Sequence, residues 1–235
     1  MTNKTTLHQY LTEILGDAFL QTMYMIIVPT IIATILGFIL AIILVLTKPK
    51  GLKPNKYVYS VVGFVVNIVR SFPFIILLVA LIPFTRFLIG TSIGETAAIV
   101  PITIGAAPFI ARIIENALNE VDEGLIEAAK SFGATKTQII FKVMIKEAMP
   151  SIISGITLSV ISILGYTAMA GTVGAGGLGK VALVYGHQRF DTAVMIYVVI
   201  TLVIVVQAIQ MLGGLLCVPW DFVGKHWHPS QQWRR

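Results

Sequence analysis

Three long stretches of the chain carry no charged side chain, and they constrain the fold more than any other feature of the sequence. They cover residues 18–47, 148–179 and 192–220. Each exceeds the roughly 20 residues that a helix needs to cross a hydrocarbon core of about 30 Å. Only 12% of the 235 residues are charged, which is about half the share of a soluble domain, so a soluble enzyme is excluded. The sequence predicts an all-α polytopic membrane protein.

Five membrane-spanning segments are predicted, and they form a single transmembrane domain over residues 1–235. The spans are placed at residues 22–46, 57–82, 96–114, 151–170 and 192–218. Before the first span, residues 7–18 have apolar side chains at helical spacing and predict a short helix on the membrane surface. The third span contains Pro101, Gly105 and Pro108 and is expected to be bent or locally broken. The long polar stretch, residues 115–150, is expected to lie outside the membrane.

The distribution of Lys and Arg predicts the orientation of the chain. With residues 115–150 on the cytoplasmic side, that side collects twelve basic residues and the other side collects four. Cytoplasmic loops of membrane proteins carry the excess of basic residues, so the N-terminus is predicted outside and the C-terminus in the cytoplasm. The net charge of +6 therefore reflects membrane topology and does not indicate nucleic-acid binding.

The polar stretch has the pattern of two short helices joined by a glycine turn. Asp122 is a good N-cap and Gly133 a good C′ residue, which predicts a first helix over residues 123–132. Thr135 and Gln138 have the spacing of a capping box and predict the start of a second helix. From this pattern alone, a docking surface for a partner protein and an amphipathic hairpin resting on the membrane both stay open.

Part of this stretch resembles the EAA loop of binding-protein-dependent ABC importers. The pattern of that loop is Glu-Ala-Ala, three residues, Gly, nine residues and then Ile-x-Leu-Pro. Residues 127–129 and Gly133 match it, whereas Lys146 replaces the proline and Pro150 follows four residues later. In that family the loop forms a coupling helix that fits a cleft on the nucleotide-binding subunit. The resemblance implies ATPase-coupling roles for Glu127, Ala128, Ala129, Ser131, Gly133 and Ala134.

Longer stretches resemble the permease subunits of methionine ABC importers. The resemblance runs nearly continuously from residue 67 to about residue 191 and rests on NIVRSFPFIILLVALIPFTRFLIGTSIG, AAPFIARIIENAL and GYTAMAGTVGAGGLG. It implies a type I ABC importer permease in the bacterial plasma (inner) membrane, which moves L-methionine, and also D-methionine, inward by alternating access. The implied partners are a second copy of the chain in a homodimer, two ATP-binding cassette subunits and an extracytoplasmic methionine-binding protein.

Two other functions stay open. The chain could be the permease of an ABC importer for another small amino acid or related solute. An ATP-independent secondary carrier is the other alternative, and it predicts internal repeats and several ionisable residues within the spans. The sequence shows no convincing repeat, and Arg70 is the one charged residue deep within a predicted span.

The glycine-rich stretch after the fourth span imitates two nucleotide-binding motifs. It contains both G-x-G-x-x-G and G-x-x-x-x-G-K, but a membrane span precedes it and Val181 replaces the Ser or Thr that would bind Mg²⁺. The chain is therefore expected to bind no cofactor of its own, with ATP and Mg²⁺ held by the partner ATPase. A loop that contacts the binding protein is the preferred interpretation, through Gly174, Gly176, Gly177 and Gly179.

Four residues are candidates for the transport pathway and its gate: Arg70, Ser71, Tyr166 and Met169. Arg70 lies too deep for its side chain to reach the cytoplasmic surface easily. It could meet a substrate carboxylate, or it could pair with carbonyl groups freed by Pro73 or with a partner subunit. Met169 is a flexible apolar side chain that could seal a narrow pore, with plain packing as the alternative.

No catalytic or metal-binding constellation is evident in the sequence. His226 and His228 flank a tryptophan in the tail, but no third metal ligand lies nearby. No Ser-His-Asp set, carboxylate pair or zinc spacing occurs. The chain is therefore predicted to be a non-catalytic transport subunit.

Overall fold

The structure is a computed structural model that describes residues 4–225, with side chains from residue 13 to residue 218. All regular elements of the described residues are helical. In chain order they are α1 (Lys4–Thr47), α2 (Lys56–Ser71), α3 (Phe74–Ala80), α4 (Ile82–Ile89), α5 (Glu95–Asn119), α6 (Glu123–Ser131), α7 (Lys136–Gln138), a π-helical segment (Ile139–Met144), α8 (Ile145–Thr172), α9 (Gly177–Val181), a second π-helical segment (Ala182–Gln188) and α10 (Thr192–Lys225).

Four helical segments of the described chain are long and apolar enough to cross a membrane: Glu13–Thr47, α5, Lys136–Thr172 and Thr192–Val218. Helices α2 and α3 meet the same criterion as a pair, and they are joined at a bend of 103°. Counted as one broken span, this pair brings the number to five. The predicted all-α membrane fold with five spans is confirmed.

Helix α5 lies at the centre of the bundle and α10 at its edge. In the most apolar stretch of α5, 67% of the residues are buried within the protein. The corresponding share for α10 is 17%. Helix α1 packs closely along α5, because Gly37 has no side chain. A Cβ atom at that position would lie 2.9 Å from the carbonyl oxygen of Ala107. The remaining apolar surface of these helices is available to lipid.

The second predicted span, over residues 57–82, is broken in the structure between α2 and α3. Helix α2 ends at Ser71, and Phe72 adopts an extended conformation with φ −77° and ψ 130°. A residue before proline avoids the helical region, and Pro73 has no N–H group to donate to the Val69 carbonyl. That carbonyl instead accepts a long bond of 3.4 Å from the Phe72 N–H. The chain therefore turns sharply next to Arg70.

The third span is not locally broken. It forms one continuous helix, α5, because neighbouring groups in a bundle can compensate for carbonyls freed by proline. Two other predicted helix limits differ from the structure. The second helix of the polar stretch does not end near Pro150. It continues as one helix, Lys136–Thr172, into the fourth span. Residues 7–18 likewise belong to the continuous helix α1 and do not form a separate surface helix.

Hydrogen bonds tie the connecting segments together at two separate ends of the bundle. At one end, the Lys48 ammonium donates to the Asn119 side-chain oxygen at 2.7 Å and joins the first loop to the start of the polar stretch. At the other end, the Gly94 N–H donates to the Gly174 carbonyl at 3.0 Å. The segment after α4 and the glycine-rich loop therefore lie at the same end.

Candidate coupling surface and intramembrane cavity

Helix α6 begins and ends as its sequence predicts. The Asp122 carboxylate accepts hydrogen bonds from the N–H groups of Gly124 and Leu125 at 2.8 and 3.3 Å. Gly133 follows the helix with φ +77°, a left-handed conformation that favours glycine. The two caps satisfy backbone groups that the short helix cannot satisfy internally, so α6 is well defined at both ends.

The residues predicted for ATPase coupling lie on and directly after this helix. Ala129 and Ala134 are partly buried and pack against the core of the bundle. The exposed residues form the outer side of the segment, and they are Glu127, Ala128, Ser131 and Gly133. The Ser131 hydroxyl donates to the Glu127 carbonyl at 3.0 Å, so its oxygen is left as a hydrogen-bond acceptor on this surface.

Phe132 is the largest apolar side chain on this surface. The helical spacing of the sequence aligns it with Leu125, Ile126 and Ala129. In the structure Phe132 is 92% exposed, whereas the other three are partly buried. Because α6 ends at Ser131, no further turn carries residue 132 over the core. An exposed phenylalanine beside a capped polar helix is apolar surface that a partner's groove can bury.

A short turn connects α6 directly to the longest internal helix. The predicted capping box is present, with the Gln138 N–H bonded to the Thr135 hydroxyl at 3.3 Å and the Thr135 N–H to the Gln138 side-chain oxygen at 2.8 Å. Ile139 and Ile140, at the next two positions, are buried in the core. A four-residue turn thus joins α6 to the helix Lys136–Thr172, which carries Tyr166 and Met169 at its far end.

A cavity of about 270 Å³ lies beside the break between α2 and α3. Arg70 and Tyr166 both line it, together with Val69, Phe72, Phe74, Leu77, Gly105 and Phe109. The rings of Phe74 and Tyr166 stack, with centroids 4.1 Å apart and an interplanar angle of 10°. The Arg70 guanidinium carbon lies 6.0 Å from the centroid of the Phe109 ring. The cavity thus combines one cation with an aromatic wall.

The other two pathway candidates lie outside the lining of this cavity. The Ser71 hydroxyl donates to the Asn67 carbonyl at 2.8 Å and stabilises the last turn of α2. Met169 lies one helical turn beyond Tyr166 and is 44% exposed. Arg70 forms no hydrogen bond or ion pair with the described part of the chain, so its pairing with carbonyl groups freed by Pro73 is not found in this structure.

A polar cluster with a buried carboxylate joins α2 to α5, and sequence reasoning missed it. The Arg112 guanidinium contacts the Glu115 carboxylate at 2.6 Å and the Asn67 side-chain oxygen at 3.0 Å. Only 4% of the Glu115 side chain is exposed. The sequence places Arg112 in the third span and Glu115 at the start of the polar stretch, whereas both residues lie in the last turns of α5. Because residues three apart on a helix are neighbours, the spacing of Arg112 and Glu115 could have predicted this ion pair.

The glycine-rich loop is held against α1. The Gly177 N–H donates to the Gln21 side-chain oxygen at 2.7 Å, and the Leu178 N–H donates to the Thr22 hydroxyl at 2.9 Å. Gly176 and Gly177 are buried and have positive φ angles of +91° and +75°. Two of the N–H groups that a phosphate loop would offer are therefore already bonded within the protein. Contact with a binding protein stays a prediction, for which the partly exposed glycines are Gly174 and Gly179.

No group of three or more His, Cys, Asp or Glu side chains that could hold a metal ion occurs among the described residues. His226 and His228 lie outside the described residues.

Comparison with known proteins decides the family. Residues 33–215 match the family model described as "Binding-protein-dependent transport system inner membrane component". The chain belongs to this family. It is accordingly a multi-pass inner-membrane permease with the type I ABC importer fold.

Curated members of this permease family share long stretches of sequence with the chain. A "Probable D-methionine transport system permease protein MetI" from Vibrio cholerae is 49% identical over 205 residues, which cover 87% of this chain and 91% of the relative. The "Methionine import system permease protein MetP" of Bacillus subtilis is 50% identical over 174 residues, which cover 74% of this chain and 78% of that protein.

Solved structures agree with the fold described above. A chain from an inward-facing conformation of the MetNI methionine ABC transporter, in its native crystal form, has a TM-score of 0.87 and 43% identity. The match covers 94% of this permease and 99% of that chain. An amino acid ABC transporter with histidines has a TM-score of 0.76 at 19% identity, and this likeness shows the fold alone.

Proposed function

We propose that this chain is the membrane-spanning permease subunit of an ATP-driven importer of methionine. The observation that carries the proposal is helix α6, which is capped at both ends. It presents a Glu-Ala-Ala segment and an exposed phenylalanine at one end of a helix bundle of the permease family. Extensive identity to permeases named for methionine transport supports the choice of substrate. The chain itself hydrolyses no ATP and binds no nucleotide. ATP and Mg²⁺ belong to the partner ATPase.

The assembly we propose contains two copies of this chain, two ATP-binding cassette subunits and an extracytoplasmic methionine-binding protein. We infer that five spans form half of a pathway, which supports a homodimer. Each α6 segment docks on one ATPase subunit through its exposed residues, Glu127, Ala128, Ser131 and Gly133. Ala129 and Ala134 pack this segment against the core of the bundle. The glycine-rich loop at the opposite end of the bundle contacts the binding protein.

In the proposed transport cycle, ATP-driven closure of the two ATPase subunits moves the two α6 helices together. The continuous helix Lys136–Thr172 carries this displacement across the membrane to Tyr166 and Met169. Met169 serves as the gate on the outer side of the cavity, because it is partly exposed and lies one turn beyond Tyr166. Arg70 and Tyr166 line the pathway itself, and Ser71 stabilises the helix end that holds Arg70.

The orientation we propose places the N-terminus outside and the C-terminus in the cytoplasm. The excess of basic residues in the first loop, the polar stretch and the tail supports it. The bond between Lys48 and Asn119 brings the first loop and the polar stretch to one end of the bundle, as this orientation requires.

Reconstitution tests the proposal. The chain is incorporated into vesicles with its ATPase and binding protein, and ATP-dependent uptake of radiolabelled methionine is measured. Unlabelled L-methionine, D-methionine and other small amino acids are added as competitors. We expect uptake to require ATP. Unlabelled L-methionine and D-methionine should both inhibit it. An ATPase variant that binds but does not hydrolyse ATP is the control.

The possible results separate the alternatives. If another amino acid competes and methionine does not, the substrate is different while the importer function stands. Uptake that continues without ATP hydrolysis would instead identify an ATP-independent carrier and refute the proposal.

A further inference from the structure

We infer that the cavity beside the α2–α3 break is the site at which a free amino acid pauses during transport, with Arg70 binding its carboxylate. This inference rests on the proposed function and adds to it the place and the chemistry of substrate recognition within the membrane. Charged side chains deep in a membrane are costly, and they mark substrate pathways when they face a cavity. Arg70 faces a cavity and forms no ion pair with the described residues.

The charge of the cavity favours a carboxylate. Among the described residues that line it, Arg70 is the one that carries a charge, and no acidic side chain competes for it. Arginine presents a planar fork of donors that matches both oxygens of a carboxylate, and such paired bonds are stronger in a region of low dielectric. The Arg70 side chain is exposed, so a small anionic group can reach it without displacing an existing partner.

The walls of the cavity favour an apolar side chain that contains sulfur. Phe74 and Tyr166 form a stacked pair, and the Phe109 ring lies next to the Arg70 guanidinium. Thioether groups make favourable contacts with aromatic rings. Aromatic faces also attract an ammonium group, and the substrate carries one next to its carboxylate.

The size and depth of the cavity fit the same occupant. Its volume of about 270 Å³ corresponds to roughly nine water molecules at about 30 Å³ each, which is enough for one small amino acid. Arg70 is the fifteenth residue of α2, so it lies about 20 Å along the helix from Lys56 at about 1.5 Å per residue. That distance is within a hydrocarbon core of about 30 Å, where transporters place their sites at interrupted helices.

The first test measures uptake and ATP hydrolysis separately in the reconstituted complex. We expect Arg70→Gln to lower methionine uptake per ATP hydrolysed by about tenfold or more, as expected for loss of a charge-assisted contact. Hydrolysis stimulated by the binding protein should stay within about twofold of wild type, and Arg70→Lys should retain intermediate uptake. Arg86→Gln, an exposed arginine of α4, is the matched control and should behave as wild type.

The second test detects occupancy directly. Val69 lines the cavity, and Cys217 is the single native cysteine, so Val69→Cys in a Cys217→Ser background places one thiol there. We expect methionine to slow labelling of this thiol by N-ethylmaleimide in the nucleotide-free complex. Methioninol, which lacks the carboxylate, should not slow it, and adding Arg70→Gln should abolish the protection.

The outcomes distinguish this inference from the proposed function. A wild-type complex that fails to import methionine would refute the proposed function whatever the Arg70 variants do. Normal uptake in Arg70→Gln, or equal protection by methionine and methioninol, would overturn the inference alone. Parallel loss of uptake and hydrolysis in a complex that still assembles would assign Arg70 a structural role and would also overturn it.

Discussion

Replacing Phe132 with alanine should weaken the docking of this permease on its ATPase. Phe132 is 92% exposed, so almost its whole side chain is available to a partner. Burial of a phenylalanine side chain contributes about 1.5–3 kcal/mol. A value of about 2 kcal/mol corresponds to a dissociation constant about thirtyfold higher for each permease–ATPase contact. The stability of the isolated permease should change little, because the side chain contacts almost none of its own protein.

The assay measures the affinity of purified ATPase for the permease in lipid nanodiscs, followed by ATP-dependent uptake in vesicles. Phe87→Ala is the matched control. Phe87 is 87% exposed and belongs to α4, at the end of the bundle opposite α6. This variant should bind the ATPase as wild type does, because its ring has no part in the proposed docking surface.

Two results would contradict the reasoning. An affinity within about threefold of wild type would show that the phenylalanine stays exposed in the complex. An equal loss of affinity in Phe132→Ala and Phe87→Ala would show a general effect of lost apolar surface. Phe132→Leu offers a further check, since it keeps most of the apolar area and should recover most of the affinity.

Three further predictions concern the interior of the bundle. Arg112→Met should lower the free energy of unfolding by about 3–5 kcal/mol, because it leaves the buried Glu115 carboxylate unpaired. In thermal unfolding of the detergent-solubilised permease, Arg112→Met with Glu115→Leu should recover most of that loss, and a stable single variant would refute the pairing. Gly179→Ala should cost about 1–3 kcal/mol in the same assay, since its Cβ would lie 2.5 Å from a carbonyl oxygen of α8. Gly165→Ala should be neutral, because nothing lies within 4 Å of a Cβ there. Met169→Ala should raise ATP hydrolysis in the absence of substrate or make vesicles leak methionine, and an unchanged phenotype would exclude a gating role.

The parts of the coupling segment that depend on neighbouring residues in the chain were predictable. Asp122, Gly133 and the Thr135–Gln138 capping box all have the positions and hydrogen bonds that the sequence predicts. Each of these features is determined by groups within four residues of one another. The outward position of Phe132 was not predictable in this way, because it depends on where the core of the bundle ends.

The ends and breaks of the membrane helices were harder to predict from the sequence than the presence of the helices. Pro73 breaks a helix and Pro101 does not, although both lie in long apolar segments. The difference comes from their surroundings. Pro101 is buried in the central helix, where neighbours hold the chain in place, whereas Pro73 is exposed. Proline alone therefore predicts a weak point in a helix and leaves the outcome to packing.

Composition and local spacing in the sequence determined that this protein is a helical membrane protein, how many times it crosses and where its capped polar helix begins and ends. Only the tertiary structure decided which residues meet: Arg70 with Tyr166 across a cavity, Asn67 with Arg112, and Gln21 with Gly177, which are 156 residues apart in the chain. The physical reason is that lipid is as apolar as the protein core. A membrane helix that is apolar on every side therefore carries little sequence signal for the face that its neighbours will cover.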